Sequence, residues 1–292
     1  MGSVMQAANQ NTRKRAAPGA WAAVKGAASQ WMTHNDAKAG AALAYYSIFS
    51  IGPLIVVVIA IAGLAFERAD VQAQVMSGLK GLLGDSGAQA INGMLKGAGQ
   101  QGEGIFSSVI GTAALLFAAV GVVVQLKDAI NAVWEVKSTP GTGLWHFART
   151  YVFSLAGVLA IGFLMLISML LTTALAAFSK YVGTFVPEVA LQASGFLVSF
   201  AVISLLFALM FKWLPDADVK WRDVWVGAIG TAALFEIGKY LIALYIGKQG
   251  LESTYGAAAS IVVVLIWVYY TAQIVLLGAE FTNMRARQRR GE

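Results

Sequence analysis

Charged residues, cysteine and histidine are scarce in this chain, and each shortage excludes a class of protein. Asp, Glu, Lys and Arg make up 12% of the 292 residues, against about 25% in an ordinary soluble domain. The absence of cysteine excludes disulfides, thiolate metal sites and cysteine nucleophiles. With only two histidines, His34 and His146, we expect no histidine-based zinc or di-iron site, and we expect no cofactor.

Apolar residues are abundant instead. Hydrophobic residues make up 58% of the chain and the mean hydropathy is +0.68. Long stretches carry no charge at all, and each reaches the roughly 20 residues with which a helix crosses a hydrocarbon core of about 30 Å. Backbone amides in lipid must be satisfied within the segment, and continuous apolar runs of this length favour helices. We therefore predict an all-α, polytopic membrane protein.

Six transmembrane helices are predicted, five from charge-free windows and one from a window that carries two charges. The predicted spans are about 40–66, 105–126, 150–178, 189–212, 224–247 and 256–281. The fifth span contains Glu236 and Lys239. It is counted for its length, for its apolar remainder, and because an even number of spans returns both termini to one side.

The remaining segments complete the six-helix membrane domain, predicted at 39–283. Residues 1–18 are polar, and we expect them to be disordered, with no cleavable signal peptide. Residues 19–36 predict an amphipathic interfacial helix, with Trp21, Val24, Ala28 and Trp31 on its apolar face. Residues 67–103 predict a helical hairpin on the outer side, and residues 284–292 a basic tail.

Lysine and arginine are distributed unequally between the two sides of this topology. Fifteen of the 21 basic residues fall on the side of the two termini, five on the other side, and Lys239 within a span. This asymmetry predicts cytoplasmic termini. It also explains the formal net charge of +6 as a topology signal near anionic headgroups, so nucleic-acid binding is not expected.

The first span combines polar groups with a proline. Asp36 precedes it, Tyr45, Tyr46 and Ser50 lie within it, and Pro53 follows. A proline inside a helix removes one amide donor and clashes with the carbonyl four residues back. We therefore predict a kinked or broken helix. A polar site at the break and a simple packing kink are both compatible with the pattern.

Glu236 and Lys239 lie three residues apart in the fifth span and so share one helix face. With a helix start near Val224, Glu236 lies about 18 Å along the span, where each lone charge costs roughly 2.5–3.5 kcal/mol. The pair should face the bundle interior. It is either a polar cavity site that responds to a proton or ion, or a structural pair that fixes the helix register.

The sixth span adds further polar groups. Tyr255 lies at its start, Tyr269 and Gln273 near its middle, and Glu280 at its inner edge, where it meets either the neighbourhood of Asp36 or a basic headgroup region. Tyr269 and Gln273 either complete a cavity with the tyrosines of the first span and Glu236, or hydrogen-bond neighbouring helices as packing contacts.

Catalytic motifs are missing. The chain has no glycine-rich phosphate loop, no Gly-x-Ser-x-Gly and no histidine beside a nucleophile. Asp216 and Asp218 sit beside Pro215 and Lys220, which is more simply a solvated turn than a nuclease site. We expect the protein not to be an enzyme.

Taken together, the motifs resemble the YihY/BrkB family. The resemblance rests on a pattern of tyrosine, proline and acidic residues inside apolar helices, covers roughly residues 35–283, and is carried by Asp36, Tyr45, Tyr46, Ser47, Ser50, Pro53, Asn131, Trp134, Pro215, Trp221, Gly227, Glu236, Tyr255, Gly256, Trp267, Tyr269, Gly278, Ala279 and Glu280. It implies a multi-pass protein of the bacterial inner membrane, in a family that includes virulence factors. An old ribonuclease label on this family finds no support in these residues.

Two functions are compatible with these patterns. The first is a secondary transporter or flippase-like exporter of an amphipathic or lipid-like substrate, with Glu236 as the ion-responsive group and Lys239 as its counter-ion. The second is a non-transporting scaffold that binds lipids or envelope-assembly partners. A channel would require an oligomer. The expected partners are membrane lipids, and a homo-oligomer is compatible with the pattern.

Overall fold

The computed structural model describes residues 20–63, 66–99, 121–136, 188–249 and 259–290. The regular secondary structure in these ranges is entirely helical. The helices, in chain order, are α1 Ala20–Thr33, α2 Asp36–Ala62, α3 Arg68–Gly99, α4 at 121–133, α5 Glu188–Trp213, α6 Trp221–Gln249 and α7 Ala259–Arg290. Helix α7 continues to Arg290, so most of the predicted tail is helical.

Four of these helices are long and apolar enough to cross a membrane. The candidate spans are Asp36–Ala60, Gly195–Trp213, Trp221–Ile242 and Ile261–Arg290. They correspond to the predicted first, fourth, fifth and sixth spans, which confirms an all-α membrane protein. The predicted second span is described only from residue 121, where it is helical, and the third lies outside the described residues. The number six therefore stays a prediction.

Pro53 lies inside α2 without interrupting it. The helix is continuous from Asp36 to Ala62, so a break of the first span is wrong, whereas a kink at Pro53 stays a prediction. One proline removes a single amide donor. The remaining hydrogen bonds of a 27-residue helix are enough to carry the helix past it.

Helix α3 consists of two arms that meet at Gly84. The backbone of Gly84 has φ 72° and ψ −176°, a conformation that glycine adopts far more readily than other residues. Both arms pack against the bundle: Ile55 of α2 and Val264 of α7 form one apolar cluster with Leu83, Ile91 and Leu95. Which side of the membrane they occupy stays a prediction.

Helix α1 packs through small residues. Ala23 and Ala27 are buried, and Gly26 lies against Met284 of α7. Trp21 is 79% exposed and Val24 also faces outwards. The helix therefore presents one face to the bundle and leaves Trp21 and Val24 of the predicted apolar face exposed, whereas Ala28 and Trp31 are half-buried.

Helices α6 and α7 cross at a reciprocal contact of glycine and threonine. Gly227 of α6 lies against Thr282 of α7, and Gly278 of α7 lies against Thr231 of α6. Each threonine hydroxyl donates to the carbonyl of the glycine four residues earlier in its own helix, over 2.8 Å. Small residues allow such close approach in membranes. Because rising numbers on α6 meet falling numbers on α7, the two helices run antiparallel.

Candidate functional site

The turn between α1 and α2 brings His34 close to Asp36. Asn35 has φ 57°, in the left-handed region that asparagine tolerates better than most residues. Its carbonyl accepts hydrogen bonds from the amides of Lys38 and Ala39 at 2.8 and 3.3 Å. His34 and Asn35 alone separate the two helices, so His34 directly follows the end of α1 and Asp36, 2% exposed, begins α2.

Glu280 of α7 completes a cluster with these two residues. Its side chain is fully buried, and its Oε1 lies 2.5 Å from Nδ1 of His34. One ligand atom from each of His34, Asp36 and Glu280 can be chosen so that all lie within 4.8 Å of one another. We call these three residues the His34 cluster. It joins the junction of the first two described helices to the last one.

Two oxygen atoms of this cluster lack a partner. Oδ2 of Asp36 and Oε2 of Glu280 are buried and have no hydrogen-bond donor among the described residues. A buried carboxylate oxygen left in this way costs free energy comparable to a lost hydrogen bond, and more when charged. The cluster is thus arranged for a cation or a proton that the protein side chains alone do not supply.

The end of α4 forms a polar rim around the cluster. Glu135 accepts from Arg287 Nη2 at 2.8 Å and lies 3.5 Å from Nε2 of His34. Asn283 donates to the carbonyl of Val133 at 2.8 Å and accepts from Nε of Arg287 at 3.3 Å. These contacts fix Glu135 on the far side of the imidazole from Glu280.

The neighbouring charges shift the pKa of His34 in the cluster and the pKa of Glu135 in the rim. Burial alone would lower the pKa of His34, but the hydrogen bond to Glu280 and the carboxylates of Glu280, Asp36 and Glu135 raise it above its usual value. The hydrogen bond and the charge of Arg287 lower the pKa of Glu135. The field at His34 therefore favours positive charge.

Glu236 and Lys239 form a second polar centre within α6. Nζ of Lys239 lies 2.7 Å from Oε2 of Glu236, as the three-residue spacing predicts. Glu236 is 5% exposed and its Oε1 has no hydrogen-bond partner, whereas the Lys239 side chain is 28% exposed. Only one of the two carboxylate oxygens of Glu236 is therefore paired among the described residues.

The remaining predicted site residues are dispersed. Ser50 is buried near Gly121 of α4, and Gln273 is half-buried with its amide against Gly40 of α2. The tyrosines at 45, 46 and 269 are exposed, with Tyr45 packing edge-on against its helical neighbours. The cavity expected between them and Glu236 is therefore not formed by these tyrosines, because they lie on outward faces of their helices. Tyr255 lies outside the described residues.

Sequence reasoning missed His34. It was assigned to the polar face of an interfacial helix, although it stands two residues before Asp36, which was already a candidate. Glu135 and Asn283 were missed as well. Their roles depend on contacts across 100 residues or more of sequence, for which helical periodicity carries no signal.

Comparison with known proteins places this chain among membrane proteins. A family model described as virulence factor BrkB matches residues 27–292. A UPF0761 membrane protein of Stenotrophomonas maltophilia strain K279a is 29% identical over 259 residues, covering 85% of this chain and 57% of the relative. UPF0761 membrane proteins of Albidiferax ferrireducens and Alteromonas mediterranea are each 33% identical, covering 58% and 60% of this chain and 39% and 58% of the relatives.

The chain thus spans between about two fifths and three fifths of the length of these curated relatives. No solved structure matches it.

Proposed function

The chain belongs to the virulence factor BrkB family, and from that premise we propose that it is a secondary transporter. Its substrate is amphipathic or lipid-like and is exported across the bacterial inner membrane. Glu236 is the group that exchanges the coupling cation, and Lys239 is its counter-ion. The observation that carries this proposal is the buried Oε1 of Glu236, which has no hydrogen-bond partner.

A purely structural ion pair has no need of that free oxygen. Placing a carboxylate in the interior of a spanning helix is expensive, and a structural role is best served when both oxygens are paired. A carboxylate paired on one side only keeps a free acceptor for a proton, a sodium ion or a polar headgroup. Intramembrane acidic residues of transporters serve in this way.

The proposed topology has six spans with both termini in the cytoplasm. This agrees with the asymmetry of basic residues across the sequence and with the positive-inside rule. On this orientation the His34 cluster lies at the cytoplasmic edge and Glu236 lies within the bilayer. Membrane lipids are the expected partners, and no chemical reaction is proposed.

A reconstituted flux assay tests the proposal. The full chain is placed in liposomes with a fluorescent phospholipid, and the accessibility of the label to a membrane-impermeant reductant is followed under a pH gradient. We expect Glu236→Gln to reduce flux at least tenfold, while Glu67→Gln, a matched change at an exposed carboxylate, has no effect.

The double variant Glu236→Gln/Lys239→Gln guards against misfolding, because it leaves no unpaired charge in the span. Full flux in a folded Glu236→Gln protein would remove Glu236 from the mechanism. Absence of flux for anionic and zwitterionic phospholipids in the folded wild type would argue for the scaffold instead.

The scaffold alternative has one observation in its favour. The 2.7 Å contact between Lys239 and Glu236 lies within a single helix, so it can form without any substrate pathway. A scaffold predicts that α6 and its neighbours remain dry around Glu236. Water-accessibility labelling of a cysteine introduced at Gln273, in this cysteine-free chain, would distinguish a wet site from a dry one.

A further inference from the structure

We propose that the His34 cluster binds a divalent transition-metal ion, with Zn²⁺ as the representative ion, and that this ion fastens the α1–α2 junction to α7. The ligands are the imidazole of His34 and the carboxylates of Asp36 and Glu280. The proposal concerns a site separate from Glu236 and holds whether or not the protein is a transporter.

The spacing of the ligand atoms fits a small metal ion. Zinc bonds to nitrogen and oxygen are about 2.1 Å long, so tetrahedral ligand atoms lie about 3.4 Å apart. In the structure, the three ligand atoms already lie within 4.8 Å of one another. To reach the tetrahedral spacing, the widest pair would shorten by at most about 1.4 Å and the 2.5 Å contact between Nδ1 of His34 and Oε1 of Glu280 would lengthen.

The two unpartnered oxygens supply the second, independent reason. Oδ2 of Asp36 and Oε2 of Glu280 belong to residues that are at least 98% buried, and neither has a donor. Two buried carboxylates that each keep one oxygen without a donor repel each other and lose hydration. A divalent ion removes both penalties at once.

The surroundings of His34 match those of a metal-binding histidine. Such a histidine typically binds through one ring nitrogen and donates its other N–H to a carboxylate, which fixes the tautomer. Nδ1 of His34 faces Glu280, and Nε2 faces Glu135 at 3.5 Å. Arg287 holds Glu135 in turn at 2.8 Å. Glu135 is thus a positioning residue that orients the imidazole.

The donor set selects the class of metal. Imidazole favours zinc and neighbouring transition metals, whereas magnesium and calcium prefer sites made of oxygen alone. One nitrogen with two carboxylates therefore favours Zn²⁺ or Mn²⁺ over Mg²⁺. Because His34 and Glu280 are 246 residues apart, a bound ion would connect the first and last described helices.

The test uses the full chain in detergent, stripped of metal with a chelator, and needs no transport measurement. Calorimetric titration with Zn²⁺ should show one bound equivalent per chain, and Zn²⁺ should raise the melting temperature by several degrees. Mg²⁺ at the same concentration should do neither.

Variants assign the site. His34→Gln and Asp36→Asn should each weaken Zn²⁺ binding at least about 100-fold, and Glu135→Gln about 10- to 100-fold, as expected for a residue that supports a ligand. His146→Gln is the matched control, since it removes the other histidine of the chain, and should leave binding unchanged.

Three results would overturn the proposal. They are the absence of stoichiometric Zn²⁺ in the folded wild type, undiminished binding in folded His34→Gln and Asp36→Asn, and equal affinity for Mg²⁺. If a variant does not fold, the chelator experiment on the wild type decides, because removal and return of Zn²⁺ must lower and restore the melting temperature reversibly. In each overturning case, the short contact of His34 with Glu280 is an ion pair within the protein.

Discussion

The strength of the Glu236–Lys239 pair can be predicted from its position and measured by a double-mutant cycle. In Lys239→Met, Glu236 keeps neither of its oxygens paired, because Oε1 has no partner in the wild type. An unpaired carboxylate in the interior of a spanning helix costs about 2.5–3.5 kcal/mol on insertion scales. The free energy of unfolding should fall by roughly that amount.

The reciprocal variant should be milder. In Glu236→Gln, the lysine loses its negatively charged partner but keeps an amide oxygen as a hydrogen-bond acceptor. Its side chain is also 28% exposed, and its long stem lets the ammonium reach a polar region. We expect a loss of about 1–2 kcal/mol. The double variant Glu236→Gln/Lys239→Met leaves no charge in the span and should lose no more than about 1 kcal/mol, which gives a coupling of at least about 2 kcal/mol.

Equilibrium unfolding in mixed detergent micelles, followed by tryptophan fluorescence, measures all four proteins. The control is the cycle on Lys80 and Asp85 of α3, whose ion pair has the same length of 2.7 Å but is exposed, at 63% and 70% of the two side chains. Exposed pairs couple weakly, so this cycle should be close to additive. Additivity within about 0.5 kcal/mol for Glu236 and Lys239 as well would refute the claim that the pair is shielded from water.

Two further predictions concern glycines. Gly278→Val should destabilise the protein by about 1–3 kcal/mol through overpacking, since any Cβ there collides with Thr231. Gly230→Ala is the control, because a Cβ at Gly230 has nothing within 4 Å, and it should be neutral or stabilising. Equal melting temperatures for the two variants would contradict the tight α6–α7 crossing. Gly84→Ala should cost about 1–3 kcal/mol, because φ 72° with ψ −176° lies in a region that is nearly restricted to glycine. Gly78→Ala on the same helix, also with open space around it, should not lower the melting temperature, and a neutral Gly84→Ala would contradict the positive φ at this position.

The sequence predicts local features of this protein well and distant contacts poorly. Charge-free windows predicted three of the four spans that the structure describes, and length with an apolar remainder predicted the fourth, because helix length and apolar composition are properties of a contiguous segment. The pairing of Glu236 with Lys239 followed from helical spacing. The break at Pro53 was wrong, since the effect of a proline depends on the rest of its helix and on the helices around it.

The His34 cluster shows the same limit for the candidate site. Asp36 and Glu280 were chosen separately as acidic residues at span ends, and the expected position of Glu280 near Asp36 agrees with the cluster. His34 is not among the predicted site residues, because the sequence pattern of its helix indicates an interfacial helix from the apolar face alone. Only the packing of α1 on α7, through Gly26 and Met284, brings the imidazole to the carboxylates.

Helix register places two polar groups of the transporter proposal at one depth. The glycine–threonine contacts set α6 and α7 antiparallel, with Gly227 beside Thr282 and Thr231 beside Gly278, so Glu236 lies at the level of Gln273. Among the described residues, neither polar atom of Gln273 nor Oε1 of Glu236 has a hydrogen-bond partner, and the amide of Gln273 lies against Gly40 of α2. Each buried group costs about 1–3 kcal/mol while it is unsatisfied. The transporter proposal therefore expects water or a substrate headgroup to reach both groups, whereas a scaffold expects neither to be reached.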